Sequence, residues 1–379
     1  MSSPAPRAKA ARDYRLDFFR GLALVFILID HIPDNIVSRI TLHSFAFCDA
    51  AEVFIFISGY TAALAYAPVF EREGLAMAVA RIYRRVWQLF VAHLLLFVIF
   101  NAEVGYTIKV LDNPLFADEL AVGDYLNNPG EAFIRVLLLQ FQPTLLNILP
   151  LYIVLLLALP WLLLVMRRSV WFGLIPSAVL WVAATLTGWN LPGFPEGRYW
   201  YLNPLCWQFL FIIAVAMSLS RGRIPEVRRF VPAAAMFAVL AACISFVWVL
   251  HDLFPRIPEY PVLPETWFDK TMLPPARLLN LLALIILVSV YVPSDWSGFR
   301  SRAGWLVITC GQNSLEVFCL TIVLAVLANL VLTLTNYTIP TQIIVNLVCL
   351  SLMVGFGLLL AWYKGGGRLP KRPQARVTP

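Results

Sequence analysis

The stretch RLDFFRGLALVFILIDHIP, residues 15–33 of a 379-residue chain, decides the fold. Its apolar centre is typical of a transmembrane helix, which needs about 20 residues to cross a bilayer. Beyond Arg15 at its start, four ionisable residues nevertheless lie within it, namely Asp17, Arg20, Asp30 and His31. Because charge is costly inside a membrane, such residues usually face a protein interior or an aqueous cavity and serve function. This stretch therefore predicts a membrane protein with a functional site.

The composition is that of a polytopic membrane protein, with 60% hydrophobic and only 13% charged residues. We predict an all-α, multi-pass fold of about ten transmembrane helices. The apolar segments extend over residues 16–33, 46–67, 83–101, 144–165, 170–188, 204–220, 231–251, 273–292, 304–334 and 339–363. With this arrangement, most of the 29 lysines and arginines lie on the side that holds both termini. This asymmetry predicts cytoplasmic N- and C-termini.

The sequence divides into three predicted parts. Residues 1–14 form a basic cytoplasmic tail, residues 15–363 a transmembrane domain, and residues 364–379 a disordered basic tail. Because the positive charge follows the membrane topology, nucleic-acid binding is not expected. The six cysteines are scattered singly without a Cys-x-x-Cys motif, and no metal site is expected.

The second apolar segment begins FCDAAEVFIFISGY, residues 47–60, and brings two more carboxylates to the depth of His31. Asp49 and Glu52 are three residues apart and share one face of a helix. A histidine beside carboxylates is the arrangement of a general base, because a carboxylate fixes the tautomer and stabilises the imidazolium. We predict His31, Asp30 and Glu52 as catalytic residues. The alternative is a structural cluster that locks the first two helices together.

Other polar residues inside apolar segments are candidates for binding substrate. Asn203, Trp207 and Gln208 combine amides with an aromatic ring, which suits a carbohydrate but also an ordinary aromatic belt. The amide of Asn313 needs a partner within its apolar segment, which favours a ligand channel or a helix contact. The candidate binding residues are Asp17, Arg20, Asp49, Ser58, Tyr152, Asn203, Trp207, Gln208, Asn313 and Ser314.

Several of these motifs, in this order along the chain, closely resemble those of the OpgC family of transmembrane acyltransferases. The motifs are RDYRLDFFRG (12–21), DHIP (30–33), DAAEVFIFISGY (49–60), LPLY (149–152), NPLCWQ (203–208) and GQNSLEVF (311–318). The family is also distantly similar to lysosomal heparan N-acetyltransferases. The resemblance implies a bacterial inner-membrane enzyme that moves succinyl from succinyl-CoA, or another acyl group from its CoA thioester, to hydroxyls of periplasmic glucan.

Carried over by position, the resemblance implies that His31 is catalytic, that Asp30 and Glu52 support it, and that Arg20 faces the path of the donor. The expected partners are acyl-CoA, a glucan or other extracytoplasmic carbohydrate, and the lipid bilayer. Ser58 or Asn313 is expected to steady the tetrahedral oxyanion.

The sequence leaves two questions of mechanism open. His31 acts either as a general base or as an acyl carrier. A proton-coupled transporter of a sugar or organic anion, which uses the same histidine and carboxylates as a relay, is the alternative function. The oligomeric state is also left open.

Overall fold

A computed structural model describes residues 13–111, 120–221, 227–254, 256–257, 263–370 and 372. Almost all of the predicted N-terminal tail and much of the predicted C-terminal tail therefore lie outside the described residues. Within the described part, the chain folds into helices joined by turns and short 3-10 segments. This confirms the prediction of an all-α fold for that part of the chain.

The helices are numbered here in chain order. They are α1 (Tyr14–Asp30), α2 (Ala50–Leu111), α3 (Gly123–Asn127), α4 (Pro129–Leu137), α5 (Ile148–Met166), α6 (Trp171–Thr187), α7 (Pro204–Leu219), α8 (Val231–Leu253), α9 (Pro275–Tyr291), α10 (Arg302–Gln312), α11 (Ser314–Leu334) and α12 (Ile339–Lys364). Helix α2 is broken at Gly74, whose φ of 84° is readily adopted only by glycine. Residues 50–73 and 75–111 are thus separate helical segments.

Five helices of the described chain are long and apolar enough to cross a membrane. They are Ala50–Leu111, Ile148–Met166, Val227–Leu253, Ser314–Leu334 and Ile339–Lys364. Three shorter apolar helices, α6, α7 and α9, coincide with further predicted segments. The number of spans and the location of the termini stay predictions.

The ninth predicted segment, residues 304–334, is two helices rather than one long span. Asn313 interrupts it with a non-helical backbone (φ −113°, ψ 38°) and separates α10 from α11. Helix α10 packs directly on α1, where a Cβ at Gly311 would collide with the carbonyl oxygen of Asp17. A Cβ at Gly21 would likewise collide with the backbone of α10. These two helices are held together by backbone contact.

The connection between α1 and α2 positions the candidate site. Helix α1 ends at Asp30, and two short 3-10 turns, Ile36–Ile40 and Leu42–Ser44, lead to the start of α2. The end of α1 and the start of α2 therefore lie at one end of the bundle, called here the His31 end. The opposite end, where Gln312 of α10 contacts Asp17 near the start of α1, is called the Asn313 end.

Candidate active site

A cavity of about 1140 Å³ lies at the His31 end. Its volume is comparable with small-molecule sites, which span roughly 300–1,000 Å³. Its ionisable lining includes Asp30, His31, His43, Asp49, Lys270 and Arg277. Its aromatic lining includes Phe194, Tyr199, Trp200, Tyr201, Trp248 and Phe268. The structure thus places three of the predicted residues, Asp30, His31 and Asp49, around one space.

His31 follows the last residue of α1, and its backbone amide donates a hydrogen bond to the carbonyl of Ile27 (3.1 Å). The helix therefore fixes the backbone from which the imidazole projects into the cavity wall. The side chain is half-buried, and its Nδ1 is buried without a hydrogen-bond partner among the described residues. A buried polar atom without a partner is costly, and in His31 this atom belongs to a ring that also lines the cavity.

Asp30 has other partners than the neighbouring histidine. Its Oδ1 accepts a hydrogen bond from Thr41 Oγ1 at 2.6 Å, and Nε2 of His43 lies 3.7 Å from the same oxygen. The carboxylate thus ties the turn after α1 to the end of that helix. In the described structure Asp30 donates or accepts no hydrogen bond with His31, so the predicted orienting role of Asp30 is not what this geometry provides.

Glu52 is fully buried and belongs to an ion-pair network rather than to the histidine. Its Oε1 accepts a hydrogen bond from Arg277 at 2.5 Å, and its Oε2 accepts one from the amide of Asp49 at 3.0 Å. Arg277 also donates to Asp49 Oδ2 at 3.1 Å, and Lys270 Nζ lies 2.7 Å from that oxygen. Buried charges need such pairing. This corrects the prediction that Glu52 orients the imidazole of His31.

Lys270 supplies fixed positive charge to the cavity wall. Burial disfavours its charged form, but the nearby carboxylates of Asp49 and Glu52 outweigh burial, so its pKa lies above the ordinary value. The indole of Trp207 donates a hydrogen bond to the carbonyl of Lys270 at 3.0 Å and holds this loop in place. Lys270 is therefore a positioned ammonium group at neutral pH.

Lys270 and Arg277 are members of the site that the sequence motifs did not predict. Arg277 falls inside the predicted apolar segment 273–292, however, and carried the same signal as Asp30. A cation inside an apolar segment needs a carboxylate partner, and a carboxylate such as Glu52 needs a cation. This mutual need is the sequence signal that could have paired Arg277 with Glu52.

The NPLCWQ motif stabilises the loop beside the cavity instead of lining it. Asn203 accepts a hydrogen bond from the amide of Leu205 and donates one to the carbonyl of Trp189. Gln208 bonds to both the hydroxyl and the carbonyl of Ser177. Trp207 is fully buried and cannot stack on a carbohydrate, which corrects that prediction. The exposed aromatic rings of the cavity are instead those of Tyr199 and Tyr201.

The remaining predicted residues lie away from the cavity lining. Ser58 is buried within α2, and Tyr152 is half-buried in α5. Neither lines the cavity, so an oxyanion that forms there has no hydroxyl from Ser58 in reach. This corrects the oxyanion role predicted for Ser58.

At the Asn313 end, the polar residues are engaged with one another. Gln312 donates to Asp17 Oδ2 at 3.3 Å, and Lys364 donates to Asn313 Oδ1 at 3.0 Å. Arg20 donates to the hydroxyl of Thr61 on α2. Asp17 precedes His31 by about 21 Å along α1, at 1.5 Å per residue. Asn313 and its neighbour at the start of α11, Ser314, are therefore remote from the imidazole, which corrects the oxyanion role predicted for Asn313.

Apolar helices that are long enough to cross a bilayer surround a polar cavity with a half-buried histidine in its wall. Fold and site together define a helical membrane protein with a candidate catalytic centre. The model of the family described as OpgC protein matches residues 12–365, nearly the whole chain. The chain belongs to the OpgC family, which confirms the resemblance and gives it a function of the membrane acyltransferase type. No curated protein and no solved structure matches the chain significantly.

Proposed function

We propose that this protein transfers an acyl group, succinyl in the first place, from acyl-CoA to a hydroxyl group of a periplasmic glucan. One observation carries the proposal: the imidazole of His31 stands in the wall of the large cavity with an unbonded, buried Nδ1. A general base must reach the proton that it abstracts. A hydroxyl-bearing substrate in this cavity meets that condition.

In direct transfer, His31 acts as the general base. His31 accepts the proton of the acceptor hydroxyl while the hydroxyl oxygen bonds to the carbonyl carbon of the thioester. The carbon–sulfur bond then breaks, and the leaving CoA thiolate takes the proton from the imidazolium. The products are an ester, free CoA and neutral His31. In the acyl-carrier form of the mechanism, one imidazole nitrogen attacks the thioester carbon, the carbon–sulfur bond breaks, and the CoA thiolate takes the proton of the other ring nitrogen. The acceptor hydroxyl then attacks the acyl carbon, the carbon–nitrogen bond breaks, and the imidazole takes up the hydroxyl proton.

Lys270 takes the role of charge stabiliser in this proposal. A tetrahedral intermediate carries negative charge on oxygen, and a positioned cation in the same cavity lowers its free energy. Lys270 lines the cavity with His31 and is held in place through Asp49 and Trp207. It replaces Ser58 and Asn313, whose positions do not suit this role.

The membrane arrangement is part of the proposal. The His31 end faces the periplasm of a bacterial inner membrane, where a glucan enters the cavity past Tyr199 and Tyr201. Acyl-CoA arrives from the cytoplasmic side, on which both termini lie, and Arg20 faces its path. The oligosaccharide and the CoA thioester are thus bound from opposite sides, and the acyl carbon meets the hydroxyl beside His31.

The experiment is CoA release by the purified protein in detergent, offered succinyl-CoA or acetyl-CoA with and without a β-glucan oligosaccharide. We expect acceptor-dependent release that falls by about 100-fold or more in His31→Ala, the range for loss of a general base. His251→Ala is the matched control, because His251 lies outside the cavity lining at the end of α8. Its turnover should equal that of the wild type.

The outcomes separate the mechanisms. Release of one equivalent of CoA without acceptor supports an acyl-histidine, whereas strictly acceptor-dependent release supports direct transfer. Wild-type turnover in a folded His31→Ala protein contradicts the catalytic assignment. If no acyl-CoA is turned over and none raises the thermal unfolding temperature of the protein, acyl transfer is excluded. A proton-coupled transporter then becomes the better hypothesis.

A further inference from the structure

A second, smaller cavity of about 100 Å³ also includes His31 in its lining. It is lined by His31, Pro33, Leu120, Thr144, Leu145, Ala325, Val326 and Asn329. His31, Thr144 and Leu145 belong to the walls of both cavities. The two cavities therefore meet at His31.

The wall of the small cavity is mostly apolar, with polar atoms at a few points. Helix α11 supplies Ala325 and Val326, two small or branched side chains that are almost fully buried. Asn329, one turn further along α11, accepts a hydrogen bond from Tyr337 on its Oδ1 at 2.6 Å, which fixes the orientation of its amide. This cavity is smaller than a usual small-molecule site, and its apolar wall with a few fixed polar groups suits part of a substrate, such as a short acyl group.

We infer that this small cavity holds the acyl group of the donor while the thioester carbon lies at His31, and that α11 limits the length of that group. The inference rests on the proposed acyltransferase function. The volume accommodates a short acyl group such as acetyl or succinyl and excludes a fatty acyl chain. The large cavity then remains for the bulkier acceptor, so each substrate has its own cavity at His31.

The side chains that set the length limit follow from this placement. The side chains of Ala325 and Val326 make no bond to the reacting atoms. They affect the choice of donor through the volume that they fill in the small cavity. A single methylene in such a pocket changes the specificity constant by roughly 10–200-fold. The amide of Asn329 is a polar group in this wall that can donate a hydrogen bond to an oxygen of the acyl group. These residues therefore determine which donor is used, while His31 determines whether transfer occurs.

The test compares kcat/KM for acetyl-CoA, succinyl-CoA and octanoyl-CoA in three variants. Ala325→Leu fills the cavity, and we expect kcat/KM for succinyl-CoA to fall about tenfold or more relative to acetyl-CoA. Val326→Ala enlarges the cavity, and kcat/KM for octanoyl-CoA should rise about tenfold relative to kcat/KM for succinyl-CoA. Leu327→Ala is the matched control, because Leu327 is 44% exposed and points away from the cavity. Its donor ratios should equal those of the wild type.

Each result decides the inference. Equal losses for all donors in Ala325→Leu, or unchanged ratios in both cavity variants, overturn it and leave the proposed function intact. If Ala325→Leu does not fold, the Val326→Ala ratio decides alone, since removing methyl groups seldom prevents folding. A wild-type protein that turns over no acyl-CoA overturns the proposed function together with this inference.

Discussion

The two ends of the α1 helix carry similar polar residues but use them differently. At the His31 end, Asp49, Lys270 and Arg277 line a cavity of about 1140 Å³ and are joined by ion pairs whose side chains are only 10–26% exposed. At the Asn313 end, Glu316 pairs with Lys364, and both side chains are substantially exposed (40% and 50%). The first network borders a space for a ligand, whereas the second joins helices at the surface.

This difference shows what an ionisable residue in an apolar segment does and does not indicate. Asp17 and Asp30 gave the same signal in the sequence, yet only Asp30 lines the large cavity. The carboxylate of Asp17 accepts a hydrogen bond from Gln312 across the tight contact of α1 with α10. An intramembrane charge thus indicates that a partner exists, and only the fold tells whether this partner is a substrate or another helix.

The largest effect on stability is expected from removal of Arg277, the cation that contacts both Glu52 and Asp49. Arg277→Met leaves the charges of Asp49 and Glu52 balanced only by Lys270. We expect a loss of about 3–5 kcal/mol in the free energy of unfolding, as for other buried pairs that lose one partner. The measurement is denaturation in mixed detergent micelles, followed by circular dichroism.

A second variant separates charge from packing. Glu52→Gln combined with Arg277→Met restores the balance of charge and should recover a large part of the lost free energy, because the buried carboxylate without a partner is gone. A double variant no more stable than Arg277→Met would assign the loss to packing. A single variant within about 1 kcal/mol of the wild type would mean that water solvates the network, and the contrast between the two ends would fail.

A smaller loss of stability is expected at the Asn313 end, where α10 contacts α1 through backbone atoms. A Cβ at Gly311 would collide with the carbonyl of Asp17, so Gly311→Ala forces α10 away from α1. Overpacking of this kind costs about 1–3 kcal/mol. Gly355→Ala on α12 is the control, because a Cβ there meets open space and alanine favours a helix. Equal unfolding temperatures for the two variants would contradict tight packing of α1 on α10.

Much of this architecture follows from local sequence features. Hydrophobic runs located the helices because a bilayer-length apolar segment has few other structures available to it. The placement of His31 beside Asp49 also followed, since two consecutive antiparallel helices must bring these residues to one end. The break at Asn313 was not predicted, although the polar run Gln312-Asn313-Ser314 interrupts the apolar segment there, because such a run is equally compatible with polar residues inside one continuous helix.

The partners within the site were harder to predict than its location. Glu52 was expected to support His31 because the two lie at the same depth on consecutive helices, whereas its partner Arg277 is contributed by α9, far along the chain. Trp207 was expected to face a substrate, but its indole supports the Lys270 loop. Both errors have one cause: a motif gives the residue types and their depth, but the rotation of each helix is set by contacts that are distant in sequence.

The smallest effect on stability is expected at the Asn313 end. Lys364 pairs with Glu316 where both are exposed, so Lys364→Met should cost no more than about 1 kcal/mol, and added salt should shrink this difference. The defect of Arg277→Met should change little with salt, because solvent ions do not reach a buried pair. A Lys364→Met loss that equals that of Arg277→Met would remove the distinction between the two ends. An unchanged stability with a raised KM for acyl-CoA would instead assign donor binding to the Asn313 end, because Lys364 holds the amide of Asn313.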